Sequence, residues 1–222
     1  MAILMGFWLG AILTTGGAFA AETYASRVFS VDQSVYAVRF SPAGDRVALA
    51  TVAGTIVFDT SDGNQVAALK GEASSVAWSA DGSTFMVGNS ERLRFWNTAD
   101  YSKEIATIPL DAQTLIIGLP REPFSPDGRS IVVLRQDDTA AIWQVEDSRE
   151  VAILDGHASP LTDASFSPDG SRVATAPTDK TVVVWDVATG RKMAGLEGHE
   201  KAIEQVSFSP DGTRILTIGR DQ

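Results

Sequence analysis

The 222-residue chain has no cysteine. Disulfide staples, thiolate nucleophiles and zinc–thiolate centres are therefore excluded. Histidine is nearly absent as well. His157 and His199 are the only two, so a histidine-based acid–base site has no other candidates. Basic charge is scarce: 18 Lys and Arg stand against 28 Asp and Glu, for a formal charge of -10. Phosphate-backbone binding rests on Lys and Arg neutralising phosphates, so nucleic acid is not an expected partner. Phosphate-loop and dinucleotide glycine patterns are missing. Asp137-Asp138 lacks the spacing of a calcium loop, and the two arginines of "ERLRF", Arg92 and Arg94, read as a solvated strand edge. No metal, no cofactor and no catalytic residue is expected.

Charge is wholly absent from one further stretch, "MAILMGFWLGAILTTGGAFAA" from Met1 to Ala21. Ile3 to Leu13 form an apolar run, and Ala18-Phe19-Ala20 has the small-x-small pattern of a cleavage site. The segment reads as an apolar helix or signal segment. No Lys or Arg precedes the run. At about 1.5 Å per residue the same stretch would also span a hydrocarbon core as an uncleaved anchor. These residues leave a signal peptide and a membrane anchor both open. The protein is accordingly expected to be periplasmic or secreted, or else membrane-anchored.

What is present is a repeat. An aromatic before a Ser-x-x-Gly turn recurs as "FSPAG" at Phe40, "WSADG" at Trp78, and "FSPDG" at Phe124, Phe166 and Phe208, spaced 38, 46, 42 and 42 residues. A second aromatic keeps phase with the first. The turn glycine leads Phe58, Trp96, Trp143 and Trp185 by 14, 14, 15 and 15 residues. Two landmarks in phase define a repeat of supersecondary units. Ser-Pro-Asp-Gly suits a type I turn, and short runs such as "TVVVWDV" read as strands covered on both faces. The pattern gives four strands per unit and no long helix after the leader. Units are placed at about 27–68, 69–111, 112–154, 155–196 and 197–222, within an arc from 22 to 222 that follows a leader at 1–21. The fifth unit stops before its tryptophan position. That half unit predicts an incomplete ring, with its missing blades supplied by downstream sequence or by another chain, and a chain that is a fragment of a longer protein.

The sequence from Gly156 to Asp186, "GH-x8-FSPDG-x8-D-x5-WD", resembles the WD-repeat (WD40) β-propeller family. The resemblance runs from about Arg27 to Gln222. It implies an all-β propeller of four-stranded blades, here four units plus a half. It also implies a buried hydrogen-bond chain in each blade: His157, Thr175, Asp179 and Trp185 in the fourth unit, and His199, Thr217 and Asp221 in the fifth. The third unit has Leu115 and Val133 at the His and hydroxyl positions, and the first has neither His nor Trp, so apolar packing is expected to hold the earlier units. The Asp–His–Thr order would also suit an activated hydroxyl. It occurs twice at one spacing, however, and an enzyme rarely duplicates its triad along a repeat. A structural role is the expectation.

Partner contacts in the family lie three and five residues after the GH histidine and just before the turn Asp. The matching positions are Pro160, Thr162 and Thr178 in the fourth unit and Ala202, Glu204 and Arg220 in the fifth, with Tyr36 in the first and Gln136 in the third. The resemblance therefore implies a non-catalytic protein–protein interaction scaffold. The alternatives are a propeller enzyme or cofactor-binding domain, or the sensor domain of a membrane-anchored multidomain protein.

Overall fold

The computed structural model describes residues 2–3, 30–110 and 116–221. No helix occurs among the described residues, and twenty strands make up their regular structure. The first two, β1 (Ala2–Ile3) and β2 (Ser30–Val31), pair antiparallel. Ala2–Ile3 are thus extended, whereas the sequence suggested a helix or signal segment over 1–21. The rest of that segment lies outside the described residues. No helix among the described residues is long and apolar enough to cross a membrane.

Four four-stranded antiparallel sheets follow, each a meander in chain order. Sheet 1 holds β3 (Val35–Phe40), β4 (Arg46–Thr51), β5 (Gly54–Asp59) and β6 (Gln65–Lys70). Sheet 2 holds β7 (Ser75–Trp78), β8 (Thr84–Gly88), β9 (Arg92–Asn97) and β10 (Asp100–Pro109). Sheet 3 holds β11 (Ile116–Gly118), β12 (Ser130–Arg135), β13 (Ala140–Gln144) and β14 (Arg149–Leu154). Sheet 4 holds β15 (Leu161–Phe166), β16 (Arg172–Pro177), β17 (Val182–Asp186) and β18 (Lys192–Leu196). Sheet 5 is the hairpin of β19 (Ile203–Phe208) and β20 (Ile215–Gly219).

One turn is built five times. The N–H of Gly44, Gly82, Gly128, Gly170 and Gly212 donates to the carbonyl of Ser41, Ser79, Ser125, Ser167 and Ser209 at 2.8–2.9 Å. Each glycine has φ between 68 and 73°, a region that L side chains enter only with strain. Within the turn the serine hydroxyl donates to the carboxylate two residues on, as in Ser79 to Asp81 at 2.6 Å and Ser209 to Asp211 at 2.6 Å. Unit 1 has Ala43 there, and Ser41 donates instead to Asp45 at 2.7 Å. The Ser167 hydroxyl is the main reason that the Asp169 carboxyl is lowered to about 2, and Ser209 does the same for Asp211, also to about 2.

Sheet 3 departs from the pattern at its first strand. Pro120 and Pro123 have no N–H to give to a ladder. β11 therefore stops at Gly118, and Phe124 pairs with Ile131 only as an isolated bridge.

The core lies between sheets. Val132, Leu134, Ile142 and Leu154 of sheet 3 pack on Phe166, Val173, Val183 and Trp185 of sheet 4. Ala48, Ala50, Val57 and Leu69 of sheet 1 pack on Val76, Phe85 and Trp96 of sheet 2. Met86, Phe95 and Ile108 of sheet 2 meet Phe124, Ile131 and Val133 of sheet 3, and Ala174, Ala176 and Val182 of sheet 4 meet Ile203 and Val206 of sheet 5. From sheet 2 onward, each aromatic landmark thus points back toward the preceding sheet. The alternate residues of each second strand point forward to the next sheet, as the two-residue period of a strand requires.

Candidate functional site: buried hydroxyl networks and an exposed hairpin edge

In sheet 4, Thr175 on β16 is fully buried, with its hydroxyl between two rings. Trp185 Nε1 donates to Thr175 Oγ1 at 2.7 Å, and His157 Nε2 lies 2.7 Å from the same oxygen. The hydroxyl also faces Val183 O at 3.3 Å. A threonine oxygen accepts two hydrogen bonds and donates one. Donation to Val183 O makes His157 the second donor and fixes its Nε2–H tautomer. The imidazole also meets the Trp185 indole edge-on, with ring centroids 5.4 Å apart. Burial lowers the His157 pKa, against the opposing pull of the Asp179 charge. This imidazole is therefore held neutral at neutral pH.

Asp179 does not complete the expected chain. Its Oδ1 accepts the N–H of Thr181 at 3.0 Å, an Asx turn that carries Lys180 at φ 113°. It reaches His157 through charge alone. The corresponding carboxylate in unit 5 behaves differently. Asp221 Oδ2 lies 2.6 Å from His199 Nδ1 and accepts the N–H of Glu200 at 3.1 Å. His199 Nε2 lies 2.7 Å from Thr217 Oγ1. Asp221 and Thr217 thus face the two ring nitrogens of His199. Burial works to raise the Asp221 pKa, but the hydrogen bonds from His199 and from the Glu200 and Lys201 backbone outweigh it, and the net shift is downward.

The structure gathers the other set of sequence-selected residues at hairpin ends. Thr178 N donates to Pro160 O at 2.8 Å, and Arg220 N donates to Ala202 O at 3.0 Å. Pro160, Thr162 and Thr178 thus cluster on sheet 4, and Ala202, Glu204 and Arg220 on sheet 5. Arg220 Nε donates to Glu204 Oε1 at 2.6 Å, and both side chains face solvent. Tyr36 is 56% exposed, Gln136 is exposed and Ala202 is half-buried. The Thr162 hydroxyl is engaged within the fold, 2.9 Å from Ala176 O and 2.8 Å from Ile203 O. It ties sheet 4 to sheet 5.

Sequence reasoning overlooked the neighbour of Thr162. Asp163 is buried, and its Oδ2 accepts the Val206 N–H of sheet 5 at 3.1 Å. Burial raises its pKa, and the hydrogen bonds from Val206, Ala164 and Arg121 only partly offset that. A cavity of about 150 Å³ opens beside it, lined among others by Arg121, Glu122, Gln205, Leu216 and Ile218. Arg135 was also overlooked. It is a buried cation on β12 paired with Glu150 of β14. The only sequence signal for either residue was a charge inside an otherwise apolar strand. Arg94, read as a solvated edge, is in fact engaged: it pairs with Glu104 at 2.6 Å, donates to Lys70 O at 2.7 Å and lies over the Trp96 ring. Among the described residues, no group of three or more His, Asp or Glu side chains is placed to hold a metal ion.

Comparison with protein families matches the WD domain, G-beta repeat model at residues 148–186 and 190–222. These segments carry both hydroxyl networks. A search of curated proteins finds no match. The two matches, on a chain of successive four-stranded antiparallel sheets, support assigning it to the WD-repeat family.

Proposed function

We propose that the chain is a non-catalytic scaffold that binds a protein partner along the exposed hairpin ends. WD repeats generally mediate protein–protein interaction, and the details for this chain are our reading. The observation that carries it is the division of labour among polar groups. The two histidines and their threonines hydrogen-bond within the sheets. The charged and aromatic groups Tyr36, Glu204 and Arg220 face solvent. Tyr and Arg are the side chains that most often dominate binding energy at interfaces. Pro160, Thr178, Gln136 and Ala202 would supply the neutral remainder of the contact, and Thr162 would act by holding the fourth and fifth sheets in register.

The test is a combined Tyr36→Ala, Glu204→Ala, Arg220→Ala variant, used with the wild type in affinity capture from native extracts. The reading expects partner capture to be lost while the circular dichroism spectrum is unchanged. An unchanged set of partners would refute it. We further place the scaffold outside the cytoplasm or at a membrane, held or exported by residues 1–21. N-terminal sequencing of the mature protein decides this. A start near Glu22 supports export, a retained leader in the membrane fraction supports tethering, and a retained leader in the soluble cytoplasmic fraction refutes both.

A further inference from the structure

Asp179 and Asp221 hold the same place in successive repeats and bond differently. Asp221 Oδ2 lies 2.6 Å from His199 Nδ1, and the carboxylate also accepts the N–H groups of Glu200 and Lys201. His157, Ala158 and Ser159 are the counterparts in unit 4. Among the described residues no hydrogen bond joins Asp179 to any of the three, and the Ser159 hydroxyl is buried with no partner. Asp179 instead accepts the Thr181 N–H at 3.0 Å. The turn so formed holds Lys180 at φ 113°, a region that L side chains enter only with strain.

The protonation of His157 accounts for the position of Asp179. Trp185 Nε1 and the Val183 carbonyl engage the Thr175 hydroxyl so that the proton of the neutral ring sits on Nε2. Nδ1 then carries a bare lone pair, which repels a carboxylate and donates nothing to it. A second proton reverses this. The ring becomes a cation, and Nδ1–H becomes a donor that needs an acceptor. Burial disfavours the cation. The charges that face it are Asp179 at the end of the β16–β17 hairpin, Lys192 on β18, Asp138 at the end of the β12–β13 hairpin and Asp155 in its own loop. Three of the four are acidic, and Asp179 exerts the strongest pull.

We propose that Asp179 is a two-position switch thrown by the protonation of His157. With the ring neutral, Asp179 caps Thr181 and holds the β16–β17 hairpin end in its present form. With the ring charged, Asp179 leaves Thr181 for Nδ1–H and for the N–H groups of Ala158 and Ser159, as Asp221 sits among His199, Glu200 and Lys201. Lys180 is then released from its positive φ. Contact with the carboxylate stabilises the cation, so protonation and movement favour each other. Thr178 and Lys180 flank Asp179 and are exposed. The hairpin end therefore shows solvent one shape at neutral pH and another in acid, whether or not it binds a partner.

Imidazole and amide nitrogen resonances of the full chain, followed from about pH 8 to about pH 5, test the switch. At the upper end the His157 proton should reside on Nε2. As the ring protonates, the Thr181 amide resonance should move with the same midpoint. Its hydrogen exchange, corrected for the pH dependence of exchange itself, should quicken roughly two- to tenfold for one lost hydrogen bond. The Thr213 amide, which donates to Asp211 at 3.0 Å in a turn without a histidine, should not follow. His157→Gln keeps an N–H donor for Thr175 and removes the titrating nitrogen, so its Thr181 resonance should stay fixed over the same range. A neutral ring protonated on Nδ1, a Thr181 amide that ignores the His157 titration, a His157 that stays neutral until the chain unfolds in acid, or a Thr181 response that persists in His157→Gln would each overturn the proposal.

Discussion

Replacing Thr175 by valine keeps the shape of the side chain and removes the oxygen at which Trp185 and His157 meet. The indole N–H is then buried without an acceptor, which costs about 1–3 kcal/mol. The half-buried imidazole recovers part of its bond from water, so its loss adds about 0.5–1.5 kcal/mol. The total is about 1.5–4.5 kcal/mol, equivalent to a fall in amide protection of roughly ten-fold to two-thousand-fold across β16 and β17. The matching substitution in unit 5, Thr217→Val, strands no indole, and His199 keeps Asp221. Its cost is about 0.5–1.5 kcal/mol. Hydrogen exchange resolved to single strands is the suitable assay, because an array of repeats need not unfold in one step. A Trp185→Phe background removes the stranded donor, so Thr175→Val should cost about 1–2 kcal/mol less there than in the wild type. Equal costs at Thr175 and Thr217, or a Thr175→Val cost unchanged in the Trp185→Phe background, would refute this reasoning.

The remaining predictions concern the turns and the tie between sheets 4 and 5. Gly44→Ala should cost about 1–2 kcal/mol for its left-handed backbone alone. Gly128→Ala adds a contact at 2.8 Å to Ser79 and should cost about 1–3 kcal/mol more, read as urea midpoints of the two variants. Asp163→Ala strands the Val206 N–H and should lose about 1–3 kcal/mol. Asp163→Asn keeps an acceptor and removes a buried charge. The Asp163 pKa is raised on folding, so its contribution is fully present below the unfolded value near 4 and is lost as pH rises through the folded value. Asparagine should therefore be better tolerated than alanine, and the variant's stability should vary less with pH just above 4. Asp169 and Asp211 have the opposite sign. Their folded values of about 2 mean stability that is present above about pH 4 and is lost as pH falls toward 2. Ser167→Ala should shift the acid-unfolding midpoint upward.

Much of the fold was written in short-range pattern. The Ser-x-x-Gly turn is a local event, settled by one serine oxygen and one glycine φ, and it could be read five times over. The phase between the two aromatics fixed which strands carry the landmarks. The four-strand meander followed from the apolar runs between turns. What escaped was set by neighbouring sheets. Asp179 and Asp221 occupy the same position in the repeat, yet only Asp221 touches its histidine. Whether a carboxylate caps the next backbone N–H or turns toward a ring depends on loop geometry that no single residue announces. Thr162 was chosen for its place at an edge, but its hydroxyl is held by carbonyls of β16 and of β19, 41 residues away from the latter. Asp163 and Arg135 looked like charges misplaced in strands. Their partners, Val206 and Glu150, are distant in sequence and adjacent only after the sheets assemble.

The central claim is that each sheet is stable only through its neighbours, and Leu154→Ala measures it most directly. Leu154 ends the fourth strand of sheet 3 and lies fully buried in the cluster shared with Trp185 and Val183 of sheet 4. Peptide-resolved hydrogen exchange of this variant should show faster opening in sheets 3 and 4 and no change in sheet 1. Faster exchange confined to sheet 3, or a uniform rise over all five sheets, would contradict the stacking on which the account rests.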